Sequence, residues 1–359
     1  MYLFIYLAFS LEMHPSSNSS TVKTNRTTGK NGTLDEIEMF TVIICSLYTF
    51  IFLGGLILNT LAAWIFFQLK NRTTFIFYLK NIAIADLIIT LTFPFKILSD
   101  SGLGHWKLKA FVCRYSAVIF YCNMYVSILF LGLISLDRYL KIVKPFGNSR
   151  MYNVKFTKFV SLGVWLCMIL LSMPNMIFTN VSPTIETAGN CSALKSHFGL
   201  ALHGVVIYVN IGIFTAVFIV LAACYISISR HIYRSNQQFV GSENERKHNQ
   251  NILIILLVFF ICFVPYHLWR IPFTLTQIAS KFDKYGTLIL TRGKTVTLFM
   301  SACNVCLDPI IYFLMCKSFT KMLRKKLHIG PSVDFNGSTR SSRGTVKVRR
   351  FREYTSTSI

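Results

Sequence analysis

The chain has 359 residues, of which 53% are apolar and 14% charged, and its 37 Lys and Arg against 14 Asp and Glu leave a formal charge of +23. A chain this apolar holds material for several membrane crossings of about 20 residues each, and once these are assigned no length remains for a separate soluble domain. The basic excess is therefore read as topology and as attraction for small anions, with no nucleic-acid partner expected.

Residues 1–39 form an N-terminal arm. Its first eleven residues, Met1 to Leu11, are apolar but lack a basic flank, so they make a poor signal peptide, and either Met1 or Met13 serves as the start. Sequons at Asn18, Asn25 and Asn31 predict a glycosylated, extracellular arm. Apolar stretches at 40–67, 75–98, 113–143, 156–178, 203–232, 252–278 and 288–315 predict an all-α membrane protein, a seven-transmembrane helix bundle over 40–315. No internal repeat of the transporter kind is present. Arg138, Lys141, Lys144 and Arg150, then Arg230 and Arg234, then eleven Lys and Arg against two acids from Lys317 onward mark one side as cytoplasmic and place the N-terminus outside. Sequons at Asn71 and Asn336 then lie inside and should be silent.

Taken in order, the spans carry polar groups that are rare in a bilayer and usually face the bundle interior. They are Asn59 in the first, Asp86 in the second, Asn123 and Ser127 in the third, and Asn304 and Asp308 in the seventh. Two carboxylates in a dry core do not both ionise cheaply. A sodium-type site built from Asp86, Asn123, Ser127, Asn304 and Asp308 would relieve them, and a network that only joins helices is the alternative. The third span ends on Asp137-Arg138-Tyr139. Pro265 in the sixth and Pro309 in Asp308-Pro309-Ile310-Ile311-Tyr312 each remove a backbone donor and provide a bend. Of the ten cysteines, Cys113 heads the third span and Cys191 sits in the second outer loop, and a bridge between them is expected. Cys303 and Cys306 lack further ligands and read as packing.

Residues 316–330 predict a short amphipathic eighth helix, with Phe319 and Leu323 toward lipid and basic residues toward headgroups. Cys316 is either a palmitoylation site or a packing cysteine. Residues 331–359 have little to bury and predict a disordered tail. Its hydroxyls suit receptor kinases and then an arrestin, and Thr357-Ser358-Ile359 fits a PDZ-domain ligand.

Arg270 and Lys294, at the outer ends of the sixth and seventh spans, have no acid close in sequence. Cations at that depth are costly without an anion to offset desolvation. From Lys96 through Lys294 the outer ends and loops carry ten Lys and Arg but only Asp100, Glu186 and Asp283 as acids. Such a mouth steers anions, and Arg270 can grip a phosphate with two donors while Lys294 acts as a point charge.

Together Asn59, Asp86, Cys113 with Cys191, Asp137-Arg138-Tyr139, Trp165, Pro265 and Asp308-Pro309-xx-Tyr312 resemble the rhodopsin-like (class A) G-protein-coupled receptors over Phe40 to about Leu327. The resemblance implies a plasma-membrane receptor coupled to a heterotrimeric G protein. Arg138 would be held at rest and freed on activation, the sixth helix would swing outward, and Tyr225 and Tyr312 would steady the open form. The runs Leu91-Thr92-Phe93-Pro94-Phe95-Lys96-Ile97-Leu98, Phe259 to His267 and Arg270-Ile271-Pro272 are similar to the metabotropic purinergic receptors, in the subgroup answering to ADP or UDP-sugars through inhibitory G proteins. Phe75 through Asp86, with Ser149 to Tyr152, is most similar to the subgroup's orphan member. This narrower resemblance implies phosphate contacts at Arg270, Lys294 and Lys195 with Lys109 nearby, and pocket positions at Tyr121, Tyr125, Asn175, His203 and His267.

The chain departs from that pattern in four places. No cysteine in the arm or in Thr291-Arg292-Gly293-Lys294 can form a second outer disulfide. Thr295 replaces a glutamate beside the lysine, Ile207 an asparagine facing the base, and Val217 a proline. These bear on the base more than the phosphate, so a lysophospholipid such as lysophosphatidic acid is the alternative ligand. No Ser-His-Asp, metal-ligand or phosphate-loop pattern points to an enzyme. A retinal protein would need a lysine where Ala302 stands. A membrane transporter is the rival from a different class.

Overall fold

The computed structural model describes residues 28–69, 73–144, 153–238, 243–278 and 284–326. The choice of start, Asn18, Asn25, Asn71, Asn336 and the 331–359 tail lie outside the described residues, as does the Asn31 side chain. Seven described helices are long and apolar enough to cross a membrane: Ile37–Gln68, Thr74–Asp100, Trp106–Val143, Val154–Ile177, His197–Arg234, Leu253–Thr274 and Tyr285–Met315.

Four starts differ from the sequence bounds by more than four residues, the fifth helix beginning at His197 rather than His203 and the sixth at Glu243 rather than Ile252. The first helix reaches back to Thr28, into the stretch assigned to the arm. No proline lies between Thr28 and Gln68, so nothing in the backbone stops it there. The third span starts at Trp106 rather than Cys113. Lys107, Lys109 and Arg114 dilute its hydropathy there, and a π-helical turn at Val112–Ser116 joins Trp106–Phe111 to Ala117–Val143. That turn widens the helix beside the disulfide, and Ser116 Oγ donates to the Thr92 carbonyl at 3.3 Å.

Two spans are broken, the second ahead of Pro94 and the seventh six residues before Pro309, whereas the sixth runs unbroken from Glu243 to Ile278 through Pro265, where a bend was expected. The second divides into Thr74–Thr90 and Phe93–Asp100 ahead of Pro94. Near that break the Thr90 hydroxyl donates to the Asp86 carbonyl at 2.7 Å and the Thr92 hydroxyl to the Ile89 carbonyl at 2.6 Å. The seventh divides at Cys303 into Lys284–Ala302 and Asn304–Met315. Pro309 leaves the Val305 carbonyl without its helical donor. The Asn59 amide supplies one at 2.6 Å, with Gly55 O as its second acceptor at 3.1 Å. The first helix comes this close because residue 55 is glycine: a Cβ there would stand 2.9 Å from Val305. Trp165 Nε1 donates to Asn81 Oδ1 at 3.0 Å and ties the fourth span to the second.

The eighth helix, Lys317–Lys326, corrects one expectation. Phe319 does not face lipid. It is buried, 4.9 Å between ring centroids from Phe66 and 6.2 Å from Tyr312, and Leu323 is half-buried against the same core. The helix turns directly after Cys316, which folds its apolar side onto the bundle. Cys316 is itself buried, and burial raises its thiol pKa. That supports the packing role, since acylation would require the joint to open.

At the same end, Asp137 accepts from the Thr74 hydroxyl at 2.5 Å and from Lys141 Nζ at 2.8 Å. Among the described residues it forms no ion pair with Arg138, whose guanidinium lies 3.7 Å from the Phe75 ring centroid. Arg138 is thus held by an aromatic face rather than by its neighbouring acid. Tyr139 and Tyr225 pack around Ile228 and Ile232.

Candidate anion-binding site

At the disulfide end two cavities share a wall made by Tyr121 and Lys294. The smaller, about 150 Å³, lies among the third to seventh spans and is lined by Tyr125, Asn175, Lys195, His203, Tyr266 and Arg270, among others. The larger, about 440 Å³, lies toward the first and second spans, and its lining includes Phe40, Ile44, Tyr48, Lys96, Lys109 and Phe120. The Cys113–Cys191 disulfide lines both and pins the intervening loop across their mouths.

Helical spacing decides which groups on the sixth span face the smaller cavity. Tyr266 and Arg270 are one turn apart and share a face. Tyr266 stacks on Tyr121 at 6.1 Å. The sequence points to His267, at the i−3 position, whereas the cavity is lined by Tyr266 at i−4. His267 lines neither cavity. Its Nδ1 donates to the Phe263 carbonyl at 2.8 Å, its Nε2 accepts from the Tyr125 hydroxyl at 2.9 Å, and its ring stacks on Phe214 at 3.7 Å. Both nitrogens are taken, so His267 acts on the site through its contacts with Tyr125 and Tyr266.

The two cations singled out in the sequence converge on one ring. The Arg270 guanidinium is 5.6 Å and the Lys294 ammonium 4.7 Å from the Phe273 ring centroid. Arg270 is 7% exposed, and among the described residues no carboxylate pairs with either group. Among the described residues Lys195 has neutral acceptors, Asn175 Oδ1 at 3.2 Å and Thr179 Oγ1 at 3.0 Å. His203 Nδ1 donates to the same Asn175 oxygen at 2.7 Å, so that oxygen accepts from both Lys195 and His203. Several other outer cations are already committed: Lys96 pairs with Asp100 at 2.6 Å, Arg114 donates to the Thr179 carbonyl, Lys107 lies over Trp106 and Arg292 over Phe40. Lys109 lines the larger cavity only.

Burial pushes the Lys195 ammonium from its usual 10.5 down to about 8. A lowered lysine pKa means that the unfolded chain holds the proton to higher pH. Lys195 therefore costs stability below pH 8, and that cost disappears as pH rises. Anion binding has the opposite sign. A ligand held by charged Lys195 should weaken as pH climbs through 8, and Lys195→Gln should bind less well yet show no such slope. Radioligand affinity between pH 6.5 and 9 checks both, and a slope surviving in Lys195→Gln would remove Lys195 from the site.

A second polar cluster is buried inside the bundle. Asp86, Ser127 and Asp308 are fully buried, and Asn123 and Asn304 nearly so. The Tyr312 hydroxyl donates to Asp86 Oδ2 at 3.2 Å. Asp86 Oδ1, both Asp308 carboxylate oxygens, Asn123 Oδ1, Ser127 Oγ and Asn304 Nδ2 meet no hydrogen-bond partner within bonding geometry. The oxygens among them fit a hard cation, and Asn304 would join them only with its amide turned to present oxygen.

The family described as 7 transmembrane receptor (rhodopsin family) matches residues 58–312. This chain belongs to that family. The receptor is 50% identical over 345 residues to G-protein coupled receptor 87 of Mus musculus, covering 96% of each chain. It is 48% identical over 291 residues to P2Y purinoceptor 14 of Bos taurus, covering 80% of this chain and 86% of that one. It is 43% identical over 284 residues to P2Y purinoceptor 13 of Homo sapiens, covering 79% and 80%. The receptor is therefore a multi-pass membrane protein of the P2Y-like group, and it is not an enzyme. Membership implies coupling to a G protein. Asp137, Arg138, Tyr139, Tyr225, Pro309 and Tyr312 lie toward the ends of their spans away from the disulfide, whereas Pro265 sits beside the cavity-lining Tyr266.

Proposed function

We propose that the receptor binds a phosphate-bearing anion from outside the plasma membrane, of nucleotide or nucleotide-sugar type, and signals through inhibitory G proteins. The observation that carries this reading is the convergence of Arg270, Lys294 and Lys195 on one cavity with no carboxylate partner among the described residues. A bound phosphate would supply the missing charge. The two relatives named as purinoceptors support a nucleotide-like ligand, and the basic loops support an extracellular N-terminus. Receptor kinases, an arrestin and a PDZ-domain protein are proposed to act on the tail.

One observation favours a second ligand class. The larger cavity adjoins Lys294 and is lined by Phe40, Ile44, Phe120 and Leu298, which suits the apolar chain of a lysophospholipid. Nucleotide exchange on a purified inhibitory G protein, measured with ADP, UDP-glucose and lysophosphatidic acid, separates the two. Activation by neither anion class would sink both readings, and solute flux without exchange would favour a transporter.

A sodium ion is proposed to sit among Asp86, Asn123, Ser127, Asn304 and Asp308. Its charge would offset the two buried carboxylates and favour the resting packing. Asp86→Asn should abolish the effect of sodium on agonist affinity, whereas potassium should have little effect on either form. Sodium sensitivity unchanged in Asp86→Asn would leave the cluster as helix-joining hydrogen bonds alone.

A further inference from the structure

Beside Arg270 stands a side chain with no counterpart among the charged groups of the site. Trp269 lies half-buried between the sixth and seventh spans, and its Nε1 donates to the Leu290 carbonyl at 3.0 Å. In a helix that carbonyl also accepts the amide of residue 294, so the indole bonds to the peptide group that holds Lys294 in place. Its ring lies against Gly293, where an added Cβ would collide with Cε2, Cζ2 and Nε1 of the indole. One turn along the sixth helix, Phe273 underlies both the Arg270 and the Lys294 head groups. The helices therefore meet along a seam of Trp269 on Gly293 and Phe273 beneath the cations. No disulfide can do this work. No cysteine lies before Cys45 or between Cys262 and Cys303, so the outer ends of these helices have no covalent tie.

We propose that Trp269 and Gly293 are positioning residues that set Arg270 and Lys294 as the two arms of one anion clamp. The proposal rests on the anionic-ligand reading above. Glycine is required because any side chain would lift the indole and part the helices. Tryptophan is required because it combines a flat apolar face with a donor that reaches Leu290. A clamp held by a non-covalent seam can also open and close with outward movement of the sixth helix, which a disulfide would restrain.

Two measurements on the full-length purified receptor test this. In the first, Arg270→Cys and Lys294→Cys are combined and bridged by bifunctional thiosulfonates of increasing length. With the seam intact one short reagent should dominate. Gly293→Val should move the optimum to longer reagents, and Trp269→Ala should spread it over several. An unchanged profile in both variants overturns the seam without reference to any ligand. In the second, ADP, UDP-glucose and lysophosphatidic acid are probes of thermal stabilisation and exchange. Gly293→Val should weaken the active probe at least about tenfold, and adding it to Arg270→Ala should cost almost nothing more, because the clamp is already lost. Additive losses would mean general damage and overturn the positioning role. Wild-type potency in Arg270→Ala would instead sink the anion reading, and the clamp with it. A loss in Arg270→Ala with none in Gly293→Val or Trp269→Ala sinks the clamp alone.

Discussion

Arg270→Ala is expected to weaken an anionic agonist by about 2–4 kcal/mol, roughly 30- to 1,000-fold in potency. The magnitude follows from where the guanidinium sits. It is 7% exposed, lies over Phe273 and has no carboxylate partner among the described residues. Its contact with a phosphate would be largely desolvated, and removing one partner leaves the other charge buried alone. Lys294→Ala should lose a comparable amount, and Arg270→Lys should recover only part, since a point charge cannot present two parallel donors. The ligand-free protein should respond in the other direction. A buried cation without a counter-ion costs desolvation energy, so unliganded Arg270→Ala should melt no lower than wild type. Dose–response curves beside ligand-free melting curves check both. A fall in ligand-free stability with unchanged potency would make Arg270 a structural residue.

Breaking the disulfide is expected to have the other large effect. Cys113 and Cys191 are 78 residues apart, and constraining a loop of that length stabilises by about 4.5 kcal/mol in the chain-entropy picture. That is a substantial share of the stability of a typical fold. Cys113→Ser with Cys191→Ser should therefore lower cell-surface expression and the melting temperature of the remaining protein sharply. The surviving fraction should also bind poorly. Both cysteines line both cavities, and the tethered loop carries Lys195 between them and the Asn175 and Thr179 acceptors. Single and double serine variants should behave alike, because either one breaks the same bond. If the double variant kept normal surface expression and affinity, the loop would be held by its other contacts.

Much of this architecture was legible before any coordinates. Apolar runs of bilayer length must become helices, because backbone groups in lipid have no other partners. A weak point near Pro309 follows from its missing N–H donor, and Arg270 and Lys294 stand out because charge is rare at that depth; the break ahead of Pro94 is not among the expected bends, and the sixth helix continues through Pro265. Starts were misjudged where cations enter a helix. Lys107, Lys109 and Arg114 hid the first turns of the third span, and the reach of the first helix back to Thr28 has no hydropathy signal.

By itself the sequence determined the number of spans, the set of buried polar groups and the family. These depend on local composition and on motifs that survive without knowledge of packing. Only the tertiary structure decided which groups are free to act. It occupied both nitrogens of His267, paired Lys96 with Asp100, turned Phe319 into the core and laid Trp269 on Gly293. The physical reason is that hydrogen bonds, ion pairs and close contacts form between residues far apart in the chain. Side-chain identity and spacing along one helix cannot specify what the neighbouring helix presents at contact distance.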